Sequence, residues 1–167
     1  MPILLWDASA LVKRYVAEVG TDSVNVLLSA AHGFPSRTTF WGYAETFAIV
    51  VRKRNEGRLD AAAFSSTLSA LNREVVMDRD FELLSIDDAT IMDSVSYILS
   101  HDLNSADGAI LAAYLEYNAA LPPDGPDCVL VASDLRLLRA ASAEGLKTLN
   151  PERLPASDIP PFLAALR

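Results

Sequence analysis

The chain has 167 residues, enough for one domain with a buried core, and half of them are apolar. Its 14 basic and 22 acidic side chains give a formal net charge of -8, which excludes a protein that grips nucleic acid through a broad basic face. A single cysteine, Cys128, excludes an intramolecular disulfide framework, and its place in the run Cys128-Val-Leu-Val-Ala132 predicts a buried thiol.

Ile3-Leu4-Leu5-Trp6 is a short continuous apolar run, as expected of a strand buried on both faces of a parallel sheet. It is too short for a signal-peptide core or a membrane span, so a cytoplasmic protein without membrane attachment is expected. Asp7-Ala8-Ser9 opens a helical pattern through about Ala17, a second helix is predicted from Thr21 to about Ala31, and a short strand from Phe34 to Arg37. Thr39 to about Glu56 reads as one long helix that Gly57 stops. Another runs from Asp60 to about Val76, followed by a strand over 81–86 and a helix from Asp87-Asp88 to about Ser100. Asn104 to Asp107 start an apolar helix reaching about Ala120, and Pro122 to Pro126 form a loop. Val129 to Ala132 is the clearest buried strand; Ser133-Asp134 cap a helix to about Ala143, Gly145 ends it, and Lys147 to Leu149 form a last strand. Strands alternating with helices predict one α/β domain whose parallel sheet is covered on both faces.

In such sheets the ligand site lies outside the carboxyl ends of the strands. Asp7 follows the first strand and Asp134 the Val129 strand. Each also suits an N-cap, unless Ser9 and Ser133 cap instead and free the carboxylates. Glu45 lies in a helix rich in Phe40, Trp41, Phe47 and Ile49, where a carboxylate is costly unless it is paired, with Arg52 for instance, or binds a metal. Asp107 has capping-box spacing from Asn104, a role compatible with ligand binding. Four such acids in one place repel one another without a counter-ion, and their hard oxygens favour Mg²⁺ or Mn²⁺. His32 and His101 are not spaced for zinc and are expected on the surface or in loops. No Gly-rich phosphate loop and no nucleophile elbow is present.

The segments Leu5-Trp-Asp7-Ala-Ser9-Ala-Leu-Val-Lys13, Tyr43-Ala-Glu45, Leu103-Asn-Ser-Ala-Asp107-Gly-Ala-Ile-Leu and Leu130-Val-Ala-Ser-Asp134-Leu-Arg-Leu-Leu, in this order, resemble the PIN-domain family and within it the VapC-type toxins of toxin–antitoxin pairs. Glu144-Gly-Leu146 to Asn150-Pro151 is similar to the family's ending. The resemblance implies a three-layer α/β/α fold around a short parallel sheet, with a nuclease-type domain over 1–150 and a C-terminal tail over 151–167 packed on its surface. It implies Mg²⁺ or Mn²⁺ held by Asp7, Glu45, Asp107 and Asp134 and hydrolysis of RNA phosphodiesters by an activated water. Ser9 matches the family's hydroxyl beside the first acid, and Ser133 is expected to support the last. A homodimer and a small antitoxin with a basic tail are implied as partners. Two positions depart from the family pattern: Gly42 stands where a hydroxyl is common, and Ala132 where a threonine is.

Lys13, Arg14, Arg136 and Arg139 follow the first and last acids and are candidates for RNA phosphates, against ordinary solvated surface. Arg52-Lys53-Arg54 reads as a solvated helix end. Two alternatives stay open: a PIN-like module that binds RNA or a partner without turnover, and a phosphotransfer domain with Asp7 as nucleophile. The haloacid-dehalogenase form of the latter needs a second acid where Ser9 stands.

Overall fold

The alternation of apolar strands with helices builds a five-stranded, all-parallel sheet in the computed structural model, which describes residues 1–29 and 33–166. Strand β1 (Ile3–Trp6) lies at its centre, flanked by β2 (Ser36–Thr39) and β4 (Cys128–Val131); β3 (Phe81–Leu84) and β5 (Lys147–Leu149) form the edges. The order β3-β2-β1-β4-β5 puts the topological switch between β1 and β4, where chains leave in opposite directions and open a crevice.

Strand register explains the two cores. Leu4 pairs with Val129 and Trp6 with Val131, and all four enter one cluster; Ile3 pairs with Cys128 and Leu5 with Leu130, and these enter the other. The first cluster is closed by α1 (Ala8–Leu11), α2 (Thr21–Leu27), the end of α4 (Ala61–Leu71) and α8 (Ile159–Ala164). The second is closed by α6 (Ser105–Ala120) and α7 (Leu135–Ala143), with α5 (Asp88–His101) packed outside α6. The result is the three-layer α/β/α architecture with a short parallel sheet that the resemblance implies. Cys128 is buried, and burial pushes its thiol up to about 11. Among the described residues no helix is long and apolar enough to cross a membrane.

Several boundaries differ from the sequence reading. The first helix stops at Leu11 and tightens into a 3₁₀ turn over Val12–Arg14, because Lys13 there is drawn inward to Glu152, 2.7 Å away. β2 begins two residues later than expected and is polar: Ser36 accepts the Trp6 indole N–H at 3.1 Å, Thr38 donates to the Trp6 carbonyl, and Thr39 caps α3 (Phe40–Asn55). The fourth helix widens into a π turn over Asn72–Val76. The second helix ends at Leu27, so Leu28 and Ser29 do not continue it as expected, while Ala30, Ala31 and His32 lie outside the described residues. His101 sits in the last turn of α5 and its ring nitrogen is 2.6 Å from Glu144.

The chain after Asn150 turns back through a 3₁₀ turn (Ala156–Asp158) into α8, whose Ile159 and Leu163 are buried in the first core. Ile159→Ala is therefore expected to cost about 2–5 kcal/mol in urea unfolding. A loss of a few tenths would mean that α8 merely rests on the surface.

Candidate functional site

Three of the four acids are placed by backbone geometry at the carboxyl end of the sheet. Asp7 directly follows β1, caps α1 and is almost fully buried. Asp134 follows β4 by a short turn and caps α7, its Oδ1 accepting the N–H groups of Arg136 at 2.7 Å and Leu137 at 3.0 Å. Asp107 lies in the first turn of α6, where Asn104 caps: Asn104 Oδ1 accepts the Asp107 N–H at 2.9 Å, and Asn104 Nδ2 donates to Asp107 Oδ2 at 2.7 Å. Glu45 comes from α3, which starts directly after β2.

The capping question resolves against the serines. Asp7 and Asp134 are themselves the caps, and Ser9 does something else. Its hydroxyl donates a short hydrogen bond to Asp7 Oδ2 and accepts the N–H groups of Ser133 at 2.9 Å and Asp134 at 3.3 Å. The Ser9 N–H adds a second bond to Asp7 Oδ2 at 2.9 Å. One hydroxyl thus ties the turn after β1 to the turn after β4. Ser133 Oγ, by contrast, is buried without a hydrogen-bond partner.

A second device sits one residue behind Asp7. The Trp6 carbonyl accepts Tyr114 Oη at 2.6 Å and Thr38 Oγ1 at 2.8 Å, all three groups buried. Tyr114 lies two turns along α6 from Asp107, on the same face, so this bond sets the depth of Asp107's helix against β1. Gly42 accommodates the clamp: a Cβ there would stand 2.6 Å from Thr38 Oγ1. That contact accounts for glycine where a hydroxyl side chain is expected.

Glu45 is half-buried, but its surroundings are not the apolar pocket expected from sequence. Phe40, Trp41 and Phe47 of α3 are 55%, 61% and 38% exposed. Glu45 and Arg52 form no ion pair, although the guanidinium still favours the Glu45 carboxylate at longer range.

The electrostatics show that the four acids share one neighbourhood. Asp107 is raised from its ordinary 3.8 to about 6 by burial and then by the charges of Asp7, Asp134 and Glu45. Glu45 is raised by burial, then by Asp7, with Asp134 adding to the effect. Asp7 is raised by burial despite the Ser9 hydrogen bonds, and Asp134 raises it further. Yet among the described residues no three histidine, cysteine or carboxylate side chains stand close enough to hold a metal ion directly.

The predicted basic residues divide. Lys13 is buried between Glu152 and Glu18, and Arg14 is fastened to Glu74 at 2.9 Å and Asn25 at 2.9 Å, so both are committed to structure. Arg136 donates to the Asp102 carbonyl at 3.0 Å and favours the Asp107 carboxylate, and Arg139 is exposed. The helix end at 52–54 is less solvated than expected: Lys53 pairs with Glu18 at 2.7 Å and Arg54 stacks over Phe64 at 4.5 Å. Sequence reasoning missed Tyr114 and Thr38; a tyrosine two turns from Asp107 was the available signal.

No family model matches the sequence, and no curated protein matches it either. Solved structures do. FitAB bound to an IR36 DNA fragment superposes with a TM-score of 0.63 at 16% identity, over 91% of this chain and 97% of that one. FitAcB from Neisseria gonorrhoeae gives 0.63 at 17%, over 90% and 99%. PAE2754 from Pyrobaculum aerophilum gives 0.62 at 18%, over 98% of each. At these identities what is shared is the fold.

Two measurements follow. Ser9→Ala leaves the Ser133 and Asp134 N–H groups without the hydroxyl acceptor, takes one of two hydrogen bonds from Asp7 Oδ2, and is expected to cost about 1–3 kcal/mol in urea unfolding; an unchanged midpoint would deny the bridging role. The raised Asp107 means that the folded protein holds a proton the unfolded chain has released, so stability without divalent cations falls as pH rises from about 4 through about 6. Asp107→Asn is expected to flatten that fall, and an unaltered pH profile would contradict it.

Proposed function

We propose that the chain is a metal-dependent endoribonuclease of the PIN-domain type, the toxin of a toxin–antitoxin pair. The observation that carries this reading is the mutual repulsion of four carboxylates at the carboxyl end of an α/β/α sheet. The order of the sequence motifs supports it, as does the fold shared with the solved structures.

The donor set fits a hard divalent cation. It is all oxygen, it is short of positive charge, and Mg²⁺ or Mn²⁺ keeps several waters, so one or two direct carboxylates suffice. Asp7, Glu45, Asp107 and Asp134 would hold it, directly or through water. Bound there, the cation supplies Lewis-acid chemistry that activates a water and offsets charge on the leaving oxygen. The chain's own residues prepare the site. Ser9 holds Asp7 by its Oδ2. Tyr114 and Thr38 hold the backbone behind it. Burial and the charges of Asp7, Asp134 and Glu45 raise Asp107 to about 6, and a cation held there would offset those charges. Arg136 and Arg139 are the predicted cations left to meet RNA phosphates.

Exposed apolar side chains support protein partners. Phe40, Trp41 and Phe47 lie on α3, and Ile91, Met92, Val95 and Leu99 on α5. We assign these faces to a second copy of the chain and to an antitoxin with a basic tail. A PIN-like binding module without turnover is the second reading, favoured because among the described residues no three carboxylates stand at ligand distance.

Asp7→Asn and Asp107→Asn are expected to abolish Mn²⁺-dependent cleavage of total cellular RNA while circular dichroism stays unchanged. Asn caps a helix as well as Asp at position 7, and an amide oxygen at position 107 still accepts the Asn104 side-chain amide, so the fold has no reason to suffer. Cleavage that persists in either variant, or in excess EDTA, would refute the metal-dependent mechanism; a clean wild-type protein without activity would favour the binding module.

A further inference from the structure

A groove of about 350 Å³ is lined by Asp134, one of the four acids, with Ser9 and Ser133, and by Ile49, Arg52 and Lys53 of α3. Its cations are not equivalent. Lys13 is held by Glu152 at 2.7 Å and Glu18 at 3.6 Å, and Lys53 by Glu18 at 2.7 Å. Arg52 is exposed, and among the described residues no carboxylate lies within ion-pair distance of it. Seven residues separate it from Glu45, which places both on one stripe of α3 roughly 10 Å apart along the axis. One helix therefore presents a carboxylate to the acidic centre and an unpaired guanidinium to the groove that leads from it.

We propose that Arg52 binds a backbone phosphate of single-stranded RNA lying in this groove, next to the phosphate that reaches the four carboxylates. The proposal rests on the nuclease reading above and extends it to how the substrate is held. A guanidinium matches phosphate oxygens with two parallel hydrogen bonds. The groove also carries Glu18, Glu56, Glu152 and Asp134, so an anion settles only where an unneutralised cation meets it, and Arg52 is that place. A chain of net charge -8 gains little from diffuse attraction, which makes one well-placed arginine count. Arg136, whose charge favours the Asp107 carboxylate, would then hold the strand beyond the reacting phosphate.

The test uses the full chain with Asp107→Asn to prevent cleavage, in Mg²⁺, titrated with a short fluorescein-labelled single-stranded RNA at several salt concentrations. Adding Arg52→Gln is expected to weaken binding about tenfold and to lower the slope of log affinity against log salt by roughly 0.7, the share of one phosphate on a single strand. Poly(U) and poly(A) should lose equally. Arg52→Lys should retain the slope, and Arg54→Gln, whose guanidinium stacks over Phe64, should change neither quantity. In the otherwise wild-type chain Arg52→Gln should raise KM with little change in kcat. If the wild-type chain cleaves RNA but Arg52→Gln leaves affinity, slope and KM unaltered, this proposal falls and the nuclease reading stands. Displacement of the RNA by polyglutamate as readily as by unlabelled RNA marks an acidic-peptide site and also overturns it. If the parent neither binds nor cleaves RNA, both fall together.

Discussion

The carbonyl of Trp6 fastens the site to the sheet. It belongs to the last residue of the central strand, and it receives one hydrogen bond from a neighbouring strand and another from the helix that carries Asp107. A buried carbonyl must be paired, and here the pairing also fixes three elements against one another just before Asp7. Gly42 stays side-chainless to make room for it. The Ser9 hydroxyl repeats the arrangement on the other side, joining the β1 and β4 turns. Between these two clamps the acids are set by backbone and buried hydroxyls, not by flexible loops.

That rigidity has an electrostatic cost. Burial and the charges of neighbouring acids raise Asp7, Glu45 and Asp107, and among the described residues no cation forms an ion pair with any of the four acids. Arg136 and Arg52 lower Asp107 and Glu45 respectively, without closing an ion pair with either. The basic side chains nearest in sequence, Lys13 and Arg14, hold the scaffold together instead.

What was legible in the sequence follows what is local. β1 and β4 were plain because strands buried on both faces must be apolar throughout, and the glycines at 57 and 145 stop helices with positive φ as expected. β2 was misplaced because hydrophobicity pointed to Phe34, whereas Ser36, Thr38 and Thr39 are buried by hydrogen bonds to groups far along the chain. Lys13 was misread for the same reason: its partner Glu152 is 139 residues away. Glu45 was singled out on an incorrect premise, since Phe40, Trp41 and Phe47 of its helix are exposed. The tail looked peripheral because of its prolines, yet Pro160 and Pro161 open α8, where a missing N–H costs nothing, and the next turn reaches the core.

The caps bear on how such a chain changes over time. Asp7 and Asp134 each do two jobs, ending a strand-to-helix turn and supplying negative charge to the crevice. Only the second job needs an acid, because asparagine closes the same turn equally well. Chemistry and architecture are thus separable at single positions. A lineage carrying this fold can remove one of the four charges by a single conservative exchange and keep an intact scaffold on which a different binding role is free to develop.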